Sequence, residues 1–199
     1  MDRPSEPVVA GVVVATLREL MLEHGIWRET RRISDQSTER PMRMLDDACG
    51  REWVPMHSYC VLLDALGTIY ETDRIHKLGG EWLDRALMRG FMANMVRSWL
   101  RSFARTPYNV TLLVPHLWKV VHREMGRMNT HVRGEGFVTM RVTPLPQWVL
   151  DCAPWQRLLE GVGDALFALA ETDGSVQIGP AMTPLPALDF LVLGADARP

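Results

Sequence analysis

The chain has 199 residues, of which 47% are hydrophobic and 23% are charged. This composition excludes an intrinsically disordered chain, because enough apolar surface is present to form a core. A formal net charge of -2 gives no overall attraction to nucleic acid or anionic membranes, so any such binding must come from a local patch. We predict a single domain over residues 1–199, with a flexible tail at 1–8.

The first half of the chain is predicted to be helical. Apolar residues at helical spacing predict helices over about 9–24 and 56–70. Between them, residues 27–50 alternate arginines with acids and have no sustained period, which predicts a long connection. Asp73 can cap a third helical region that runs towards Phe103.

A further helix is predicted to begin after Thr106. The hydroxyl of Thr106 is a suitable cap, and Pro107 suits the first helical position. Pro115 lies inside this stretch and predicts a kink, or a late start of the helix near residues 113–115.

In the last third of the chain the hydrophobic period changes from 3.6 to 2. The pattern predicts a hairpin over 130–133 and 137–143, an amphipathic helix over 155–169, and closing strands at 175–178 and 188–193. Gly161 and Gly163 allow that helix to approach a neighbour closely. The predicted fold class is therefore α+β, with N-terminal helices packed on a twisted antiparallel sheet of about four strands and a C-terminal amphipathic helix.

The location is predicted from the absence of export and membrane signals. No stretch reaches the roughly 20 apolar residues that a membrane span requires, and the N-terminus does not resemble a signal peptide. The three cysteines, Cys49, Cys60 and Cys152, are widely spaced. Reduced thiols and a cytoplasmic protein are expected.

Several packing motifs resemble one superfamily. Trp53-Val54-Pro55 precedes Leu62-Leu63-Asp64-Ala65-Leu66, and Leu113-Val114-Pro115-His116-Leu117-Trp118 precedes the hairpin. The order resembles TRAPP trafficking subunits, 4-vinyl-reductase-type ligand domains and haem nitric-oxide-binding domains, and especially uncharacterised bacterial paralogues common in myxobacteria. The resemblance implies helices against a twisted antiparallel sheet, often a dimer, and in several branches an apolar effector or haem between helices and sheet.

The sequence departs from two branches of that superfamily. The haem branch carries a histidine followed by Tyr-x-Ser-x-Arg, whereas Tyr108 is followed here by Asn109-Val110-Thr111. The sequence therefore argues against haem, and it identifies no other cofactor. The 4-vinyl-reductase branch often carries clustered cysteines in its C-terminal half, where this chain has Cys152 alone. A metal or thiol role of that kind is not expected.

No catalytic or metal site is predicted. His116 and His122 are six residues apart, which places them on different sides of an ideal helix. Cys152 lies at a predicted helix N-terminus, where the dipole lowers a thiol pKa, but no base partner is identifiable and a structural thiol is preferred. Hydrolase and P-loop motifs are absent from the sequence. The chain is predicted not to be an enzyme, and a thiol enzyme centred on Cys152 ranks third among the functional hypotheses.

Two clusters are candidates for ligand binding. The first is an apolar set with helical spacing: Trp82, Phe91, Met95, Trp99 and Trp118. These residues either line an effector cavity or belong to the core, and the helical spacing favours the core. Basic residues at i, i+4 and i+8 give two predicted stripes, which are candidates for anion binding: Arg97, Arg101 and Arg105, then Lys119, Arg123 and Arg127. For a chain of net charge -2, solvated helix faces are preferred to nucleic-acid binding.

The leading hypothesis is a non-enzymatic sensory or scaffold domain that binds an apolar small molecule or a partner protein. The alternative is a nucleic-acid or phosphate-binding regulator that uses the basic stripes. A homodimer through the N-terminal helices is also predicted, because the first helix has more apolar surface than one stripe requires. That surplus consists of Val8, Val9, Val12, Val13 and Val14, and the helix over 56–70 adds Val61, Leu62, Leu63, Leu66 and Ile69. The alternative is a monomer in which the connection over 27–50 folds back and covers this surplus.

Overall fold

The computed structural model describes residues 6–38, 43–48, 52–88, 94, 96, 98, 99, 102, 106–132, 137–181 and 185–194. Its helices are α1 (Gly11–Glu23), α2 (Trp27–Gln36), α3 (Arg43–Asp46), α4 (Met56–Gly67), α5 (Thr72–Met88), α6 (Pro107–Val121), α7 (Gln147–Leu150) and α8 (Ala153–Leu169). Its strands are β1 (Val8–Ala10), β2 (Trp53–Pro55), β3 (His122–Arg123), β4 (Arg127–Val132), β5 (Phe137–Thr143), β6 (Gly174–Pro180) and β7 (Leu188–Gly194). The α+β fold class is confirmed.

The larger sheet has four antiparallel strands in the order β4-β5-β7-β6. Met140 of β5 is opposite Phe190 of β7, and Val138 is opposite Val192. These side chains are buried, because alternate residues of each strand face the helices. The predicted hairpin and closing strands are present, with bounds shifted by a few residues.

The smaller sheet has three strands in the order β2-β1-β3. Val9 pairs with Val54 on one side and with His122 on the other. The sequence predicts a flexible tail that includes Val8 and a first helix from about residue 9, whereas the structure has a strand at Val8–Ala10 and a helix from Gly11. Three apolar residues directly before an apolar helix show no alternation that would identify them as a strand.

Residues 27–36 form helix α2, where the sequence predicts only a connection. Its buried positions are Trp27, Thr30 and Ser34, which have helical spacing but include only one apolar side chain. Two of its arginines pair along the helix, Arg31 with Asp35 and Arg32 with Glu29. Such pairs stabilise a polar helix without producing a hydrophobic period.

Helices α5 and α8 approach each other closely at glycines. A Cβ on Gly79 would lie 2.1 Å from the carbonyl oxygen of Leu158, and one on Gly161 would lie 1.8 Å from that of His76. Neither position has room for a side chain. The close approach predicted for Gly161 is therefore present.

Helix α6 begins at Pro107, as the cap predicts. Thr106 Oγ1 accepts a hydrogen bond from the backbone N–H of Asn109 at 3.3 Å. The helix continues through Pro115 to Val121, so the late start considered for this helix is wrong. Among the helices that the structure describes, none is long and apolar enough to cross a membrane.

Candidate functional site

A cavity of about 530 Å³ lies between the helices and the larger sheet. Helices α1, α5, α6 and α8 contribute Val13, Trp82, Leu117 and Leu159, among others. Each strand of the larger sheet contributes one side chain, namely Met128, Met140, Phe190 and Val176. The volume is within the range of about 300–1,000 Å³ that is usual for small-molecule sites, which are mostly apolar.

The charged groups of the described lining are Glu19 and Arg85, and they belong to one ion-pair network. The Arg85 guanidinium makes two hydrogen bonds to the carboxylate of Glu23 and lies 3.9 Å from Glu19 Oε2. An anionic ligand would have to compete with both carboxylates for Arg85. The lining therefore favours an uncharged ligand.

The indole N–H groups of two lining tryptophans are already used. Trp82 Nε1 donates to the carbonyl oxygen of Val13 at 3.0 Å, and Trp118 Nε1 donates to that of Met125 at 3.2 Å. These bonds fix the rings in the wall and leave their apolar surfaces to face a ligand.

His122 is the buried histidine of the cavity wall. Its ring lies against Trp118, with centroids 4.1 Å apart, and Trp155 approaches it edge-on at 6.3 Å. Nδ1 has no hydrogen-bond partner in the described part of the chain. Burial lowers the pKa of His122 to about 3, and a hydrogen bond between the imidazole and the Trp118 backbone offsets only part of this effect. The imidazole is therefore neutral.

The predicted pocket residues are only partly brought together. Trp82 and Trp118 line the cavity. Trp99 is half-buried and packs on the core, but it is not among the described lining residues. Phe91 and Met95 lie outside the described residues. The assignment of this set to a ligand remains a prediction.

Sequence reasoning missed much of the cavity wall, including Val13, Tyr59 and Phe190. The sequence predicts an amphipathic helix that includes Trp155, Leu158, Leu159 and Val162, but not that these residues line a cavity. A periodic apolar stripe looks the same in a sequence whether it lines a cavity or packs in a solid core. His122 was weighed only as a metal ligand.

The second basic stripe does not exist as predicted. Helix α6 ends at Val121, because His122 adopts an extended backbone (φ -132°, ψ 142°) and enters β3. Lys119 is on the helix, whereas Arg123 is in β3 and Arg127 begins β4. Arg123 stacks on the Trp53 ring at 4.0 Å. Arg97, Arg101 and Arg105 of the first stripe lie outside the described residues, so anion binding there is untested.

The surroundings of Cys152 disfavour its thiolate. It is buried at the start of α8, with Sγ 3.6 Å from Asp64 Oδ1. Hydrogen bonding with Cys60 and burial raise the pKa of Cys152 well above its usual value. The lowering expected from the helix dipole is outweighed, because the thiolate would be desolvated beside a carboxylate. His116 is exposed, with Nδ1 3.2 Å from the Leu112 carbonyl oxygen. The described residues contain no cluster of three or more metal-ligating side chains.

No family model and no curated protein matches the chain, but solved structures do. A mutant of the Fe(II) unliganded H-NOX protein from K. algicida has a TM-score of 0.64 and 10% identity, over 93% of this chain and 96% of that one. An H-NOX protein from S. oneidensis in the Fe(II)NO ligation state has a TM-score of 0.55 and 10% identity, over 92% and 97%. At such identities the likeness shows the fold alone.

The chain therefore has an H-NOX-like fold. The matches support the haem nitric-oxide-binding part of the predicted resemblance. They give no support to its TRAPP, 4-vinyl-reductase and myxobacterial parts.

Haem does not fit the described lining. Its propionates require cations, and the lining cation Arg85 is held by two glutamates. The Tyr-x-Ser-x-Arg motif is also missing from the sequence.

Proposed function

We propose that this chain is a non-enzymatic sensory domain whose cavity binds an uncharged, apolar small molecule. The observation that carries the proposal is the cavity of about 530 Å³ between helices and sheet, with a predominantly apolar wall. The likeness in fold to H-NOX structures, one of them in an Fe(II)NO ligation state, supports a ligand at this place.

The proposal includes a way to report occupancy. Val12 and Val120 belong to the cavity lining and are also 65% and 46% exposed. A ligand that contacts them changes a surface that solvent and other proteins can reach. We propose that a partner protein in the cytoplasm reads this surface.

A fluorescence titration with Nile red, an uncharged apolar dye, tests the proposal. Leu117→Trp fills part of the cavity from α6, and we expect it to weaken dye binding at least tenfold. Leu112→Trp is the matched control, because Leu112 is on the same helix, is 41% exposed and is not among the described lining residues. It should bind the dye like the wild type. Equal binding by all three proteins would contradict the proposal.

Native and denaturing mass spectra of the freshly purified protein give an independent test. A co-purifying mass that is absent from Leu117→Trp is expected. An absorption scan of the same sample should contain no Soret band, because the lining does not fit haem. A stoichiometric Soret band would overturn that part of the proposal.

A further inference from the structure

The position of His122 is unusual because the rest of the cavity wall makes little use of polar groups. The ring is packed against Trp118 and Trp155, contacts that a phenylalanine would also make. A buried nitrogen without a partner is less favourable than a satisfied one. Such a group in a native structure calls for an explanation, and a ligand that completes the hydrogen bond is one.

Three of the other polar groups in the lining already have partners. The indole N–H groups of Trp82 and Trp118 bond to backbone carbonyls, and Arg85 bonds to Glu23. The Nδ1 atom of His122 is the one buried side-chain nitrogen or oxygen of the described lining without a partner.

We propose that the cavity selects an uncharged apolar molecule with a hydroxyl group, and that the imidazole of His122 recognises this hydroxyl. The inference rests on the proposed function and adds the chemistry of the ligand. A neutral imidazole has one donor and one acceptor nitrogen, and a hydroxyl can pair with either. A carboxylate is disfavoured because Glu19 lines the same cavity. A hydrocarbon would leave Nδ1 without a partner.

Displacement of Nile red by 2-naphthol and by naphthalene tests the proposal. The two probes differ only in the hydroxyl, so their affinity ratio reports its recognition. In the wild type we expect 2-naphthol to bind about 3- to 10-fold more tightly, which is the net effect of one neutral hydrogen bond. In His122→Phe the ratio should fall to about one, while naphthalene binds at least as tightly as before.

Thr16→Val is the matched control, because Thr16 is a second buried lining residue with a polar side chain. This variant should keep the wild-type ratio. A preference that survives in His122→Phe, or that is lost in Thr16→Val, would overturn the role of His122 but leave the proposed function standing. Failure of the wild type to bind Nile red and both probes would overturn the proposed function and this inference together.

A measurement on the wild type covers the case in which His122→Phe does not fold. With nitrogen-15-labelled histidine, the imidazole signals of His122 should move on addition of 2-naphthol and stay near their free positions with naphthalene. Equal movement with both probes would contradict a hydrogen bond to the hydroxyl.

Discussion

Glu160 and Ile178 connect helix α8 to the edge of the larger sheet. Glu160 Oε1 accepts a hydrogen bond from the backbone N–H of Ile178 at 2.7 Å, and Asp164 Oδ1 accepts one from the N–H of Val176 at 2.7 Å. Both donors belong to β6, the last strand of the order β4-β5-β7-β6. Two carboxylates therefore satisfy donors that an edge strand would otherwise expose to another chain.

Glu160→Ala should lower the free energy of unfolding by about 1–3 kcal/mol, because it leaves the Ile178 N–H without its acceptor in a buried setting. Glu160→Gln keeps an acceptor oxygen and should cost less. Asp84→Ala, which removes an exposed acid from α5, is the surface control and should change little. Urea unfolding followed by tryptophan fluorescence measures all three, and equal stability of Glu160→Ala and Asp84→Ala would contradict the assigned role.

Two adjacent glycines in α5 should respond to alanine in opposite directions. A Cβ on Gly79 would lie 2.1 Å from the Leu158 carbonyl oxygen, so Gly79→Ala forces α5 away from α8 and should cost about 1–3 kcal/mol or more. A Cβ on Gly80 would be 3.6 Å from the Ala165 Cβ, an ordinary contact. Gly80→Ala should therefore stabilise the protein by up to about 1 kcal/mol through helix propensity. Thermal unfolding of the pair measures the contrast, and similar melting temperatures would refute it.

The parts of the fold that the sequence predicted have local signals. Thr106 before Pro107 marks the start of α6, and the alternation in residues 137–143 marks β5. Helix α2 was missed because Thr30 and Ser34 supply two of its three buried positions. Strand β1 was missed because its pairing with Val54 is distant in sequence.

The candidate site was less predictable than the fold. His122 counted as a helical residue six positions after His116, but pairing of β3 with Val9 ends the helix before it. Its place in the cavity wall therefore depends on a contact more than one hundred residues away in sequence, and helical periodicity cannot report such a contact.

The wild type should lose stability in mild acid because of His122. In an unfolded chain the pKa of histidine is about 6.5, whereas burial lowers the pKa of His122 to about 3 in the folded protein. Between these values only the unfolded state binds the proton, so this contribution to stability is complete above pH 6.5 and is lost as the pH falls towards 3.

From pH 7 to pH 5, the wild type should lose about 2 kcal/mol more than His122→Phe, by the proton linkage of one histidine. His116→Phe, which replaces an exposed histidine, is the control and should keep the wild-type dependence. Urea unfolding at the two pH values gives the difference. An identical loss in the wild type and His122→Phe would show that His122 titrates alike in both states.

The homodimer remains a prediction, but its interface has to be narrower than the sequence suggested. Val9, Val13 and Val14 are buried within the chain, so they are not the exposed surplus that the sequence argument invoked. Val12 of α1 and Val120 of α6 remain 65% and 46% exposed at the same cavity, and we expect any pairing to use them.

Val12→Glu is therefore the appropriate variant, because Val13→Glu would place a charge in the core and unfold the protein. Light scattering on a size-exclusion column should give a mass of twice 22.6 kDa for the wild type and a lower mass for Val12→Glu. Leu169→Glu is the control, because it places a charge at an exposed site on α8. It should keep the doubled mass. A wild-type mass of 22.6 kDa at micromolar concentration would refute the dimer, and a doubled mass that survives Val12→Glu would move the interface elsewhere.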